Sequence, residues 1–198
     1  MNRRIIFATG NQNKMIEIRQ ILGDLGWDIL SMKEAGISAD IIEDGTTFEE
    51  NALIKAQAVA EYCDDIVLAD DSGLEIDYLN KEPGIYSARY AGEDTSYDIK
   101  NQLLLDRLAG VPRDQRTARF VCAIAAAIPG QEPIVVRGTI EGYIGDKPAG
   151  ENGFGYDPIF YVPDLNCSTA ELSPEDKNAC SHRGNALRAM RDKLKELM

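Results

Sequence analysis

The sequence predicts an α/β protein in which a mixed, twisted central sheet is flanked by helices and two lobes surround an active-site cleft. Three observations predict it. Short apolar runs of strand length alternate with longer segments of helical period. The segment Pro129-Gly130-Gln131-Glu132-Pro133 separates two strand-like runs, which gives an antiparallel hairpin. Helices elsewhere fall between strands, as crossovers within a mixed sheet require. No repeat or low-complexity linker interrupts the 198 residues, so one domain over 1–198 with a sizeable core is expected.

Each element has a local reason. Ile5-Ile6-Phe7-Ala8 is a short buried strand, and residues 13–25 follow as a helix. Thr46 is a candidate N-cap, with Glu49 three residues later completing a capping box, for a helix running to about Tyr62. Phe48, Ala52, Ala56 and Val59 form its apolar face. Ile66-Val67-Leu68-Ala69 reads as a buried strand, and Leu74 to Leu79 as a half-exposed one. Pro83-Gly84 breaks the pattern, and Asp94 to Leu108 is helical with Gly110 as its stop. Phe120–Ile128 and Ile134–Ile140 are the hairpin strands. Ser173-Pro174-Glu175 starts a short helix with proline in its first position, and 183–197 form a basic terminal helix.

The net charge of −12 argues against general nucleic-acid or anionic-membrane binding, which favour basic surfaces. It leaves room for a local basic pocket that holds a polyphosphate. No run is long enough to span a membrane, and no N-terminal segment resembles a secretion signal, so a cytoplasmic location is expected. Cys63, Cys122, Cys167 and Cys180 are scattered and only one histidine is present, which disfavours a zinc site and fits ordinary reduced thiols.

Thr9-Gly10-Asn11-Gln12-Asn13-Lys14 connects the first strand to the first helix. A helix start offers unpaired N–H groups and a positive dipole end; Gly10 permits close backbone approach and Lys14 adds a full charge. A phosphate site fits, although a plain strand–turn–helix has the same local pattern and the P-loop spacing is missing. Asp70-Asp71-Ser72-Gly73 follows the strand at 66–69, where α/β folds place ligands. Adjacent carboxylates point in different directions, so one can bind magnesium while the other polarises water; an acidic capping loop is the alternative. Glu43 can add a further carboxylate. Asn51 and Lys55 share a helix face, and Lys55 is either solvated or a second phosphate contact. Phe154 and Tyr156, around Gly155, can stack on a base, and Asp157 can accept from ring N–H groups; core aromatics at a strand entry are the alternative. His182, Arg183 and Lys177 read better as base readers than as nucleophiles.

Six segments in order closely resemble the inosine triphosphate pyrophosphatase family, which hydrolyses non-standard purine nucleoside triphosphates. TGNxxKxxE spans Thr9 to Glu17 and GxTFxxNAxxKA spans Gly45 to Ala56. DDSGL is Asp70 to Leu74, and PGIYSARYAG is Pro83 to Gly92. GFGYDPIF spans Gly153 to Phe160, and ELSxExKNxxSHRGxA spans Glu171 to Ala186. One departure is visible: Pro148-Ala149-Gly150 stands where the family often has Pro-Arg-Gly.

The resemblance implies that Thr9 to Lys14 and Lys55 bind the triphosphate. It implies that Glu43 and Asp71 hold Mg2+, that Asp71 is also the proton acceptor, and that Asp70 supports the acidic cluster. Ser72 would touch substrate, and Phe154, Gly155, Tyr156, Asp157, Lys177, His182 and Arg183 would form the base pocket. A homodimer is expected. Two other functions are weighed against this one. A nucleotide-binding regulator would need no acidic cluster, and a broad phosphatase would need no base pocket.

Overall fold

The computed structural model describes residues 3–197. In chain order its strands are β1 (Arg4–Phe7), β2 (Asp28–Ser31), β3 (Ile66–Ile76), β4 (Thr117–Ala127), β5 (Ile134–Ile144), β6 (Phe160–Val162) and β7 (Cys167–Ser168). Its α-helices are α1 (Gln12–Leu22), α2 (Phe48–Ala60), α3 (Tyr97–Arg107), α4 (Pro174–Cys180) and α5 (His182–Lys195). The strands of the described residues form one sheet in the order β2-β1-β3-β4-β5-β6-β7.

The sheet is mixed, as the sequence predicts. β1 runs parallel to both β2 and β3, with Ile6 opposite Leu30 on one side and Val67 on the other. β6 runs antiparallel to β5 and β7, with Tyr161 opposite Tyr143 and Ser168. β4 and β5 are neighbours joined by the predicted turn, in which the Gln131 N–H donates to the Ile128 carbonyl at 3.1 Å and Gly130 adopts φ +72°.

The chain divides into two compact units. Unit 1 comprises residues 1–71, 122–138 and 183–198; unit 2 comprises 72–121 and 139–182. Unit 1 has its own core, in which Ile5, Phe7, Met15, Ile18, Leu68, Ile124, Leu187 and Met190 pack together. The core of unit 2 joins Leu74, Ile76, Leu104, Phe120, Ile144, Ile159 and Phe160. Burying one such aliphatic or aromatic side chain stabilises a fold by about 1.5–3 kcal/mol, so these clusters fix the elements that carry the polar residues below.

Two local expectations are corrected. The cap of α2 is Thr47, whose side chain accepts from the Glu50 N–H at 3.1 Å. Thr46 sits one residue outside and its N–H donates to the Glu50 carboxylate at 2.6 Å, so the cap lies one position later than the sequence suggests. The helix ends at Ala60 rather than near Tyr62. The second correction matters more. Asp70-Asp71-Ser72-Gly73 is no turn after a strand: it lies in the middle of β3, which runs without interruption from Ile66 to Ile76.

Candidate active site

Unit 1 gathers most of the charged candidates. β1 ends at Phe7, and the Ala8 N–H donates to the Leu68 carbonyl at 2.7 Å, which keeps the Thr9–Lys14 turn beside β3. Asn11 caps α1, its Oδ1 accepting from the Asn13 N–H at 2.9 Å and the Lys14 N–H at 3.3 Å. Thr9 Oγ1 accepts from the Asn11 N–H at 3.1 Å. Gly10, Asn11, Gln12 and Asn13 are exposed, and Lys14 is half-buried. From the first turn of α1, Lys14 Nζ reaches both oxygens of Asp70, at 2.9 and 3.2 Å.

Strand geometry sends successive side chains to opposite faces, and the contacts of Asp70 and Asp71 differ accordingly. Asp70 is 1% exposed. Its partners are Lys14 and the Arg183 guanidinium, whose Nε lies 3.7 Å from Oδ2. Burial works against its charge, but Lys14, Arg183 and Lys55 outweigh burial and hold the carboxyl well below the usual range. Arg183 is itself fixed by Glu17 of α1, with Nη1 to Oε2 at 2.8 Å. Burial opposes the Arg183 charge, and the carboxylates of Asp70 and Glu17 more than restore it.

Asp71 is driven the other way. Burial raises its pKa from 3.8 to about 6, and the nearby charges of Glu43 and Asp70 add to the rise. Lys55 and a hydrogen bond from the Asn51 side chain oppose it. Asn51 is 1% exposed, and its Oδ1 also accepts from the Gly45 N–H at 2.9 Å. A Cβ on Gly45 would stand 2.7 Å from that oxygen, so the glycine permits the contact. Lys55 Nζ lies 3.3 Å from Glu43 Oε1. The helix face carrying Asn51 and Lys55 is therefore turned toward Glu43 and Asp71 rather than to solvent.

Among the described residues, no group of three or more His, Cys, Asp and Glu side chains gathers to hold a metal ion. Glu43 and Asp71 still fit Mg2+. They are hard oxygen donors close enough for Glu43 to raise the Asp71 pKa, and Mg2+ is commonly held by one or two carboxylates together with substrate phosphates.

Unit 2 carries Ser72 and the 154–157 segment. Here the geometry refines the expected roles. Asp157 is 2% exposed, and its carboxylate accepts from Lys177 Nζ at 2.6 Å, Thr169 Oγ1 at 2.8 Å and the Phe154 N–H at 2.9 Å. It organises its own loop rather than presenting a free acceptor to a base. Tyr156 is 4% exposed, meets Tyr97 edge-on at 5.2 Å, and donates its hydroxyl to the Ser87 carbonyl at 2.6 Å. Its ring belongs to the core and offers no stacking face. Phe154 remains partly exposed, with Lys177 Nζ 4.8 Å from its ring centroid. His182 is buried and stacks on Phe120 at 4.9 Å. Arg183, expected beside His182 as a base reader, has its guanidinium engaged by Glu17 and Asp70 of unit 1. Ala149, at the departure noted above, uses its backbone: its N–H donates to the Pro158 carbonyl and its carbonyl accepts from Ser168 Oγ.

Comparisons with known proteins place the chain in a family. The family model described as the Ham1 family matches residues 5–193. The chain belongs to the Ham1 family. Among curated relatives, the dITP/XTP pyrophosphatase of Exiguobacterium sibiricum is 51% identical over 187 residues, covering 94% of each chain. That of Bacillus subtilis, with the same name, is 49% identical over 188 residues and covers 95% of each chain. The solved Ham1 protein of Staphylococcus aureus superposes with a TM-score of 0.90 at 44% identity, covering 99% of this chain and 100% of that one. The family's mixed α/β architecture is thus the one found here.

Asn51 and Glu17 emerge from the structure as contacts of the acidic cluster that sequence reasoning left without roles. Both lie inside segments that carry the resemblance noted in the sequence, at the asparagine of GxTFxxNAxxKA and the glutamate of TGNxxKxxE. Their spacing was visible, but their partners are distant in sequence.

Proposed function

We propose that this Ham1-family enzyme hydrolyses the α–β phosphoanhydride bond of the non-standard purine nucleoside triphosphates dITP, XTP and ITP. The products are the nucleoside monophosphate and pyrophosphate. The observation that carries the reading is the opposed pair on β3: Asp70 is paired with Lys14 and Arg183, while its neighbour Asp71 faces Asn51, Lys55 and Glu43. A carboxylate placed apart from the cations that hold its neighbour suits a proton acceptor. The names of the curated relatives point to two of these substrates, dITP and XTP.

The Thr9–Lys14 turn and Lys55 receive the triphosphate, and Ser72 contacts it. Glu43 and Asp71 hold Mg2+, which when bound supplies charge neutralisation at the phosphates and makes water easier to deprotonate. Water attacks the α-phosphorus, Asp71 accepts its proton, and pyrophosphate departs against Lys14 and Lys55, which offset the growing charge. Phe154 to Asp157, Lys177, His182 and Arg183 form the base pocket. In that pocket Phe154 and the Gly155–Tyr156 backbone are the contact surface, and Asp157 and Lys177 shape it. Donors that match a 6-keto oxygen lose their partner when adenine presents an amino group, which discriminates by an unpaired buried donor. The enzyme acts as a homodimer on the cytoplasmic nucleotide pool. Among the described residues no helix is long and apolar enough to cross a membrane.

Pyrophosphate release from dITP, XTP, ITP, GTP and ATP, with and without Mg2+, tests the reading. The expected outcome is Mg2+-dependent pyrophosphate from the first three, with ATP far slower. Free phosphate in place of pyrophosphate, or no release from any of them, overturns it. Asp71→Asn is expected to lower kcat by at least about a thousandfold, consistent with loss of general-base and electrostatic assistance together. Nucleotide binding by calorimetry is expected to survive, and full activity in this variant would remove Asp71 from its role.

A further inference from the structure

The motif Pro83 to Gly92 and the helix after it take no part in the chemistry above, yet their polar groups converge on the 154–157 loop. On α3, Tyr97, Lys100 and Asn101 stand at helical spacings of three and four, so they share one side. Lys100 is 1% exposed and Asn101 2% exposed, at positions where an amphipathic helix ordinarily places apolar residues. The Lys100 ammonium donates to the Ala88 carbonyl at 2.6 Å and lies 4.8 Å from the Tyr97 ring centroid. Ala88 lies near the end of the 3-10 turn Gly84–Arg89, where carbonyls point outward and a cation is favoured. Asn101 Nδ2 donates to the Gly155 carbonyl at 3.2 Å, while its buried Oδ1 has no hydrogen-bond partner among the described residues. A buried asparagine that makes one bond in this way is costly, and it fixes one backbone atom of the loop.

Ser87, in the same 3-10 turn, joins the remaining parts. Its hydroxyl donates to the Gly84 carbonyl at 2.6 Å and accepts from the Leu74 N–H of β3 at 2.9 Å. Its carbonyl accepts from the Tyr156 hydroxyl at 2.6 Å. Leu74 is two residues beyond Ser72 on β3. Gly155 adopts φ +67°, a conformation that depends on glycine, and a Cβ there would lie 3.6 Å from Tyr97. The loop is thus held at Gly155 by α3 and at Tyr156 by the 84–89 turn, and that turn is held by Lys100.

We propose that Ser87, Lys100 and Asn101 are positioning residues that set how the 154–157 loop meets the nucleobase, so that base affinity depends on side chains that do not touch the nucleotide. The proposal rests on the base-pocket role given to that loop under Proposed function.

Steady-state kinetics on dITP and XTP for Asn101→Ala and Lys100→Met, with hydrogen exchange over residues 150–160, tests it. Expected are KM raised about tenfold, the scale of one lost buried hydrogen bond, kcat within about threefold of wild type, and faster exchange at the loop amides. A merely structural role would lower the active fraction, reducing kcat with KM unchanged, and that result overturns the proposal. If Asn101→Ala does not fold, Tyr156→Phe reports on the same loop while keeping its ring: a raised KM with faster exchange supports the proposal, and unchanged values overturn it. Absence of pyrophosphate release by the wild-type enzyme would instead overturn the proposed function, while exchange would still report whether the brace holds the loop.

Discussion

Asp70 and Asp71 are chemically identical neighbours with opposite electrostatics, and the cause is which side of β3 each one faces. One side meets Lys14 and Arg183, and the other meets Asn51, Lys55 and Glu43. Arg183 is the residue on which the first arrangement depends, because it neutralises two partly or fully buried acids, Asp70 and Glu17. Removing one partner of a buried ion pair costs about 3–5 kcal/mol, since the remaining charge is left uncompensated. Arg183→Met is therefore expected to lower the urea midpoint substantially, and Asp70→Asn in that background to recover part of the loss. A midpoint unchanged by Arg183→Met would show that Lys14 alone suffices for Asp70. At this scale the sequence identified the residue types and the divergence of the two carboxylates. It did not reveal the partners of Arg183 and Asp157, Glu17 and Thr169 among them, because these are not adjacent in the chain.

Among elements, β3 shows most clearly what a sequence window misses. Four polar or small residues, Asp70 to Gly73, read as a turn, yet the strand continues because α1, α2 and α5 supply partners for its charged side chains. Farther along, β3, β4 and β5 are tied by Arg119. Its guanidinium forks onto both Asp77 oxygens at 3.0 Å, its Nε meets Glu141 at 2.9 Å, and Glu75 lies 3.4 Å away. The Arg119 hydrogen bonds are the largest influence on Asp77 and hold its carboxyl below the ordinary 3.8, aided by Lys81 and Thr117 and opposed by desolvation. A depressed carboxyl stabilises the fold at pH above its unfolded value, and that contribution disappears as pH falls through the folded value. Asp77→Asn is expected to remove about 1 kcal/mol of stability at pH 7, given partial solvent screening, and to make the decline below pH 4 shallower. Urea titrations of both proteins from pH 7 to pH 2 measure this, and parallel acid limbs would exclude Asp77 as a contributor. The start of α4, by contrast, was readable because its signal is local: Ser173 caps it before Pro174, whereas α3 begins at Tyr97 after a Ser96 cap, three residues later than Asp94.

For the molecule as a whole, the α/β class and mixed sheet followed from the alternation of helical and strand periods, and the hairpin came from a single turn. The division into two units was legible only as an expectation of two lobes, because neither unit is continuous in sequence. The chain passes from one to the other at 71–72, 121–122, 138–139 and 182–183. Three of these points lie within β3, β4 and β5, so these strands contribute to both cores. Melting is accordingly expected as one calorimetric transition with matching van't Hoff and calorimetric enthalpies, and two resolved transitions would contradict shared strands. The same threading bears on how such a protein can change over generations. A single recombination event between related genes cannot carry the unit with the 154–157 loop intact onto another copy of the unit with the carboxylates, since four breakpoints would be required. New preferences at the loop are therefore reached by changes within segments of that unit rather than by exchange of the unit as one continuous piece.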